Sequence, residues 1–181
     1  MPSWSKIARR IRVPLGFAFA AVYIWLAHPT KASIVIGAAV ALAGIAIRAL
    51  ASGHVQKNEV LTTTGPYAYT RNPLYLGSIV LACGFIIAAR SWWIALIAVV
   101  ILFAIYLPVI RSEEAFLRSR FPEFTDYAEN VPRLFPRTTA NKNSAGSFSW
   151  HLYWKHREYN AGLGAIGMIA ILVAKLIWFT K

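Results

Sequence analysis

An all-α integral membrane protein is what this sequence predicts, and three observations predict it. Hydrophobic residues make up 57% of the 181, with a mean hydropathy of +0.51, more apolar side chain than a soluble domain of this size buries. Charged residues reach only 14%, against roughly a quarter in soluble proteins. The apolar residues gather into five runs, about 13–29, 32–51, 73–89, 91–110 and 161–179, each near the roughly 20 residues that cross a bilayer. The expectation is five transmembrane helices in a compact bundle, with residues 1–181 forming a single membrane domain.

The first run follows Lys6, Arg9, Arg10 and Arg12, as in a signal peptide. It ends in Ala27-His28-Pro29 without a small-x-small cleavage site, and a second run follows almost at once, so a retained helix is expected. Pro29-Thr30-Lys31 is too short a link for anything but an antiparallel pair, which makes 13–51 an N-terminal helical hairpin. Gly37, Ala41 and Gly44 recur at helical spacing and offer a neighbouring helix close approach. Ser52-Gly53 reads as a left-handed glycine stop. Residues 52–137 hold the third and fourth spans, joined by Arg90-Ser91. Residues 138–147 are a polar linker, and 148–159 mix five aromatics with Lys155, His156 and Arg157, a composition suited to the headgroup layer. Linker and interfacial stretch together occupy 138–160. The last span, 161–179, carries Ala161, Gly164, Ala165 and Gly167 as a second packing face.

The net charge is +12, but the cations sit beside apolar runs and not on a polar domain. That argues against nucleic acid and for anionic lipid headgroups. With the N-terminus in the cytosol, the first four cations, Lys57, Arg71 and those from Arg111 to Arg157 all fall inside, while Lys31, Arg90 and Lys181 face out. Cys83 is the single cysteine, so no intrachain disulfide forms; the four histidines have no metal-ligand spacing, and no metal is expected.

The chemistry concentrates in Gly65-Pro66-Tyr67-Ala68-Tyr69-Thr70-Arg71-Asn72-Pro73-Leu74-Tyr75-Leu76-Gly77. Gly65-Pro66 makes a turn, and Asn72-Pro73 is an N-cap followed by proline at the first helical position. The third span therefore starts here, its orphan amides and positive dipole end suited to a carboxylate. Tyr75 stands within the first turn, and Gly77 leaves room for a ligand or a helix. Glu113-Glu114 follow the fourth span on its helical continuation. Neighbours on a helix point about 100° apart, so one of the two is expected to face a ligand and the other to support it.

The 65–77 run, Glu113-Glu114, Phe121-Pro122-Glu123-Phe124-x-x-Tyr127 and Val131-Pro132-Arg133-Leu134-Phe135-Pro136 resemble, in order and spacing, the isoprenylcysteine carboxyl methyltransferase and phospholipid methyltransferase superfamily. The resemblance covers about residues 44–137, and Arg48 fits it. It implies an integral membrane enzyme using S-adenosylmethionine, with a cytosolic cofactor-binding segment between helices four and five. The implied cofactor-binding residues are Tyr67, Asn72, Pro73, Tyr75, Gly77, Glu113, Glu114 and Tyr127. Arg71 and Glu114 are the candidate catalytic residues. The carboxyl-methylating branch usually carries histidine where this chain has Asn72, and Asn-Pro there is similar to the phospholipid N-methylating branch, so the acceptor stays open among a prenylcysteine-like carboxylate, a phospholipid amine and a small thiol or other lipophilic nucleophile. The C-terminal extension 138–181 also departs from the pattern.

A sulfonium is already an activated methyl donor, so the protein must align, desolvate and stabilise charge. Arg71 can hold a carboxylate acceptor with two parallel hydrogen bonds, and a glutamate can take the proton an amine acceptor must lose. The expected partner is a lipid or other lipophilic substrate, entering sideways at a multi-pass membrane protein whose cofactor site faces the cytosol. Two other readings compete: an inactive relative serving as a scaffold, and a nicotinamide-dependent reductase-like protein, which shares this C-terminal half but is much longer.

Overall fold

Each apolar run becomes a helix. The computed structural model describes residues 4–56, 59–139 and 146–179, and of residues 4–13, 15 and 179 the backbone only. Lys57, Lys181, most of the 138–147 linker and the side chains of Lys6, Arg9, Arg10 and Arg12 therefore lie outside the described part. The helices are α1 (Trp4–Leu26), α2 (Lys31–Ser52), α3 (Pro73–Ala89), α4 (Trp92–Ile101), α5 (Leu107–Arg120), α6 (Phe124–Asn130), α7 (Trp150–Lys155) and α8 (Tyr159–Phe179). No strand occurs among the described residues.

Three stretches among the described residues are long and apolar enough to cross a membrane: Lys31–Ser52, Trp92–Arg120 and Tyr159–Trp178. Gly16–Leu26 and Pro73–Ala89 are apolar but shorter. The 17 residues of α3 rise about 25 Å, slightly less than the hydrocarbon thickness. Trp92 and Trp178 are 90% and 83% exposed, as lipid-facing aromatics are.

The fourth run is one continuous rod to Arg120, but not a uniform one. Leu102–Tyr106, between α4 and α5, is a turn of π-helix. Pro108 explains it: proline has no N–H for the carbonyl four residues back, Ala104, and its ring crowds that carbonyl, so the helix widens just before it.

Contacts divide the chain into two compact units: Met1–Ala41, Ala82–Glu114 and Ala165–Lys181 form the first, Leu42–Leu81 and Ala115–Gly164 the second. The first has an apolar core of Tyr23, Ala27, Ile34, Ala88, Ala89, Ile94 and Leu172. Within it α1 lies against α4 and the π turn. Thr30 and Ser33 cap α2 reciprocally, Thr30 N–H to Ser33 Oγ at 2.9 Å and Ser33 N–H to Thr30 Oγ1 at 3.2 Å. The Ser33 hydroxyl and the His28 N–H both donate to the end of α3, at Ala88 O (3.1 Å) and Ala89 O (2.8 Å). Lys175 of α8 donates to Ile24 O and Trp25 O, at 2.6 and 3.1 Å, satisfying carbonyls in the last turn of α1.

Gly37 and Gly84 fit this unit tightly. A Cβ on Gly84 would stand 2.5 Å from the Ala41 nitrogen, and one on Gly37 2.5 Å from the Gly84 oxygen. The expected packing face of α2 is thus real, and α3 supplies its partner. The matching expectation for α8 is corrected at its glycines, where a Cβ at Gly164 or Gly167 would meet nothing within 4 Å, although Ala165 is buried. The glycine stop at Gly53 is corrected as well. Gly65 is the glycine with positive φ (57°) among the described residues, not Gly53. A Cβ on Gly53 would fall 2.2 Å from the Phe148 ring, so this glycine admits an aromatic. The end of α2 is satisfied by side chains, His54 Nδ1 at Leu50 O (2.8 Å) and His156 Nδ1 at Ser52 O (3.1 Å).

Candidate functional site

The second unit gathers three of the motifs that stand apart in the sequence. Gly65–Ala68 forms a 3-10 turn with Pro66 in its first turn, and left-handed Gly65 sits against the His54 ring. Tyr69 to Asn72 then lie beside residues 132–137. The Arg71 N–H donates to Pro132 O at 2.9 Å and the Arg137 N–H to Tyr69 O at 3.0 Å. The Thr70 hydroxyl faces Arg133 O at 3.2 Å and Leu134 O at 3.1 Å, and the Asn72 Nδ2 donates to Arg133 O at 2.9 Å. The 65–77 and 131–136 motifs, some sixty residues apart, thus touch through the main chain of one and the polar groups of the other.

The third motif supports both. Phe124, Tyr127 and Val131 form a small core with Leu61, Leu117, Phe121 and Ala128 against it. The Tyr127 hydroxyl donates to Tyr67 O at 2.7 Å. Tyr67 and Tyr127 are both buried.

Asn72 takes the N-cap position expected of it: its carbonyl accepts from the Leu76 N–H at 3.0 Å, and Pro73 follows, fully buried. Its side-chain amide reaches back to the 131–136 motif. Tyr75 and Arg71 are half-buried. Gly77 is explained by helix packing. A Cβ there would stand 2.6 Å from Arg48 Cγ and 2.8 Å from Gly44 O, so the space belongs to α2 and not to a ligand.

Glu113 and Glu114 belong to the first unit, on α5. Glu114 is 7% exposed and Glu113 half-exposed, the division of roles that adjacent helical positions impose.

Three features escaped the sequence reading. Thr70 is 2% exposed, yet a single threonine carries no signal. Arg48 pairs with Glu158 through two of its nitrogens (2.8–3.1 Å) and bonds the Ser78 hydroxyl, which engages the C-terminal extension with the end of α2. Opposite charges 110 residues apart give no local pattern. Phe148 and Ser149 complete that attachment, the Ser149 N–H donating to Gly53 O at 2.9 Å.

The donor set suits a zwitterionic sulfonium cofactor. Within the second unit, the Arg71 guanidinium and the first turn of α3 match a carboxylate, and Tyr75 supplies an aromatic face for a cation.

Comparison with known proteins agrees with that chemistry. The profile of the phospholipid methyltransferase family matches residues 33–123. A cobalt-zinc-cadmium resistance protein of Cupriavidus metallidurans is 38% identical over 126 residues, 68% of this chain and 50% of that protein. A nickel-cobalt-cadmium resistance protein of Alcaligenes xylosoxydans is 34% identical over 119 residues, 66% of this chain and 55% of that protein. A protein-S-isoprenylcysteine O-methyltransferase of Schizosaccharomyces pombe is 26% identical over 142 residues, covering 74% and 59%. The chain spans about half the length of these relatives. No solved structure matches it.

Proposed function

The chain belongs to the phospholipid methyltransferase family, within the superfamily that includes the isoprenylcysteine carboxyl methyltransferases, and from that premise we propose that it is a membrane-embedded methyltransferase. It moves a methyl group from S-adenosylmethionine to a lipophilic acceptor, a carboxylate or an amine, at the cytosolic face. The chain crosses the bilayer five times, α1 and the short α3 included, with its N-terminus inside. The observation that carries the reading is the convergence of residues 65–77, 121–127 and 131–136 around the N-terminus of α3, where an apolar helix begins.

When bound, S-adenosylmethionine supplies a methyl on a good leaving group. The chain's own residues have the remaining tasks. Amides of the first α3 turn, with Asn72 and Pro73 setting its start, attract the cofactor carboxylate, and Glu113 or Glu114 meets its ammonium. Tyr67, Tyr75 and Tyr127 offer faces to the sulfonium. Arg71 holds an anionic acceptor by a bidentate contact; for an amine acceptor, Glu114 takes the proton. Burial of Glu114 keeps water from competing for it.

The test is direct. Protein in lipid nanodiscs is titrated with S-adenosylmethionine by calorimetry, then incubated with methyl-labelled donor and membrane lipid extract. Binding and a labelled lipid product are expected; a base-labile label marks an ester, a base-stable one an amine. Arg71→Ala and Glu114→Gln are expected to lower turnover at least about 100-fold while the protein still inserts, the loss typical of a group that aligns or stabilises the transition state. Absence of heat at millimolar donor, or normal turnover by both variants, refutes the reading.

A second, physiological reading comes from the resistance proteins, 38% and 34% identical to this chain. It places the same methyl transfer in tolerance of divalent metals, through modification of a membrane component. Growth of a deletion strain on graded cobalt, zinc and cadmium tests it, with the Arg71→Ala variant as the activity control; equal tolerance in all strains removes it.

A further inference from the structure

Thr70, Arg71 and Asn72 are consecutive, and each directs a hydrogen-bond donor at the same short segment. Arg71 uses its main-chain N–H, on Pro132 O at 2.9 Å. Asn72 uses its side-chain amide, on Arg133 O at 2.9 Å. Thr70 uses its hydroxyl, shared between Arg133 O at 3.2 Å and Leu134 O at 3.1 Å, and that oxygen in turn accepts from the Asn72 N–H at 3.4 Å. Thr70 is 2% exposed and Asn72 9%, so the donors are buried while their bonds to the Arg133 and Leu134 carbonyls are partly buried, and a buried donor left unmet is costly.

The segment that receives these bonds is largely exposed. After buried Val131, the side chains of Pro132, Arg133, Phe135 and Pro136 are exposed, Phe135 by 81%. With Leu134 half-buried and its neighbours exposed, the carbonyls of residues 132–134 carry much of the attachment, together with the Arg137 N–H on Tyr69 O. A segment attached in this way opens locally once the attachment is lost.

We propose that Thr70 and Asn72 are positioning residues: they clasp residues 131–137 as a strap and thereby fix Arg71 and the first turn of α3 in their working geometry. The proposal rests on the methyltransferase reading above. It also assigns a meaning to the asparagine. A histidine ring N–H can make the same bond to the Arg133 carbonyl, so an asparagine at 72 reports the tie and does not mark the acceptor as an amine.

The experiment uses the full chain in nanodiscs, with hydrogen exchange of residues 131–137, calorimetric affinity for S-adenosylmethionine and methyl-transfer kinetics read on the same samples. Thr70→Val keeps the shape and removes the hydroxyl; Asn72→Leu removes the amide. Each is expected to speed exchange across 131–137, to weaken cofactor affinity about tenfold, the scale of one or two lost buried hydrogen bonds, and to raise the KM for an anionic acceptor, which Arg71 holds. Thr70→Ser, which returns the hydroxyl, recovers most of the affinity, and Asn72→His, which returns a donor, recovers the protection of the strap. Wild-type exchange and affinity in the Val and Leu variants would overturn the proposal, as would Ser and His variants that fail equally. Faster exchange in variants of a wild type that itself binds no S-adenosylmethionine would remove the methyltransferase reading, and the positioning role with it.

Discussion

The two units of this chain are held together by different means. The first relies on shape: an apolar core and a seam of glycines, with hydrogen bonds largely confined to helix ends. The second shares the glycine contact, at Gly44 and Gly77, and adds polar groups aimed at main-chain carbonyls 60 or more residues away in sequence, beside a small core of Phe124, Tyr127 and Val131. The contrast follows from what each must do. A lipid-facing bundle gains nothing from hydrophobicity between helices and must associate by close contact. A site that handles charge must fix loops, and loops are fixed by hydrogen bonds.

The contrast can be broken most severely at the seam. Gly84→Leu puts a branched side chain where the Ala41 backbone already stands, and about 3 kcal/mol of destabilisation is expected, read as an early thermal unfolding transition in detergent. A smaller effect is expected in the second unit. Tyr127→Phe deletes the hydroxyl on Tyr67 O and leaves a buried acceptor unmet, at about 1–3 kcal/mol. Here methyl transfer should fall more than stability does, because the loosened segment carries Tyr67; equal losses in both would count against the link to the site. The smallest effect sharpens the comparison by showing where shape does not matter. Gly164→Ala on α8 meets nothing within 4 Å, so stability should stay within about 0.5 kcal/mol or rise slightly through helix propensity.

What could be read in advance follows the same division. Helices, their order, the start of α3 at Asn72-Pro73 and the α2 packing face were legible, because hydropathy, proline position and residue size are local signals. The role of Gly53 was not: a helix stop and a niche for Phe148 ask for the same residue type. The glycines of α8 imitate those of α2, yet a Cβ on any of them would meet nothing within 4 Å, since a stripe of glycines states an opportunity and not a partner. The clasp around Thr70 was invisible because its acceptors are carbonyls, which every residue has. Arg48 fitted the family pattern, but its bond to Glu158 required the fold to bring the C-terminal extension back.

The wide turn at Leu102–Tyr106 has a consequence for how this chain tolerates length change. Such a turn accommodates one more residue than an ordinary helical turn, so it can absorb an insertion or give one up without rotating what lies beyond. Shortening the rod by one residue there leaves Glu114 facing inward. The same deletion between Leu107 and Ser112 swings the acidic pair by about 100° and exposes the wrong glutamate.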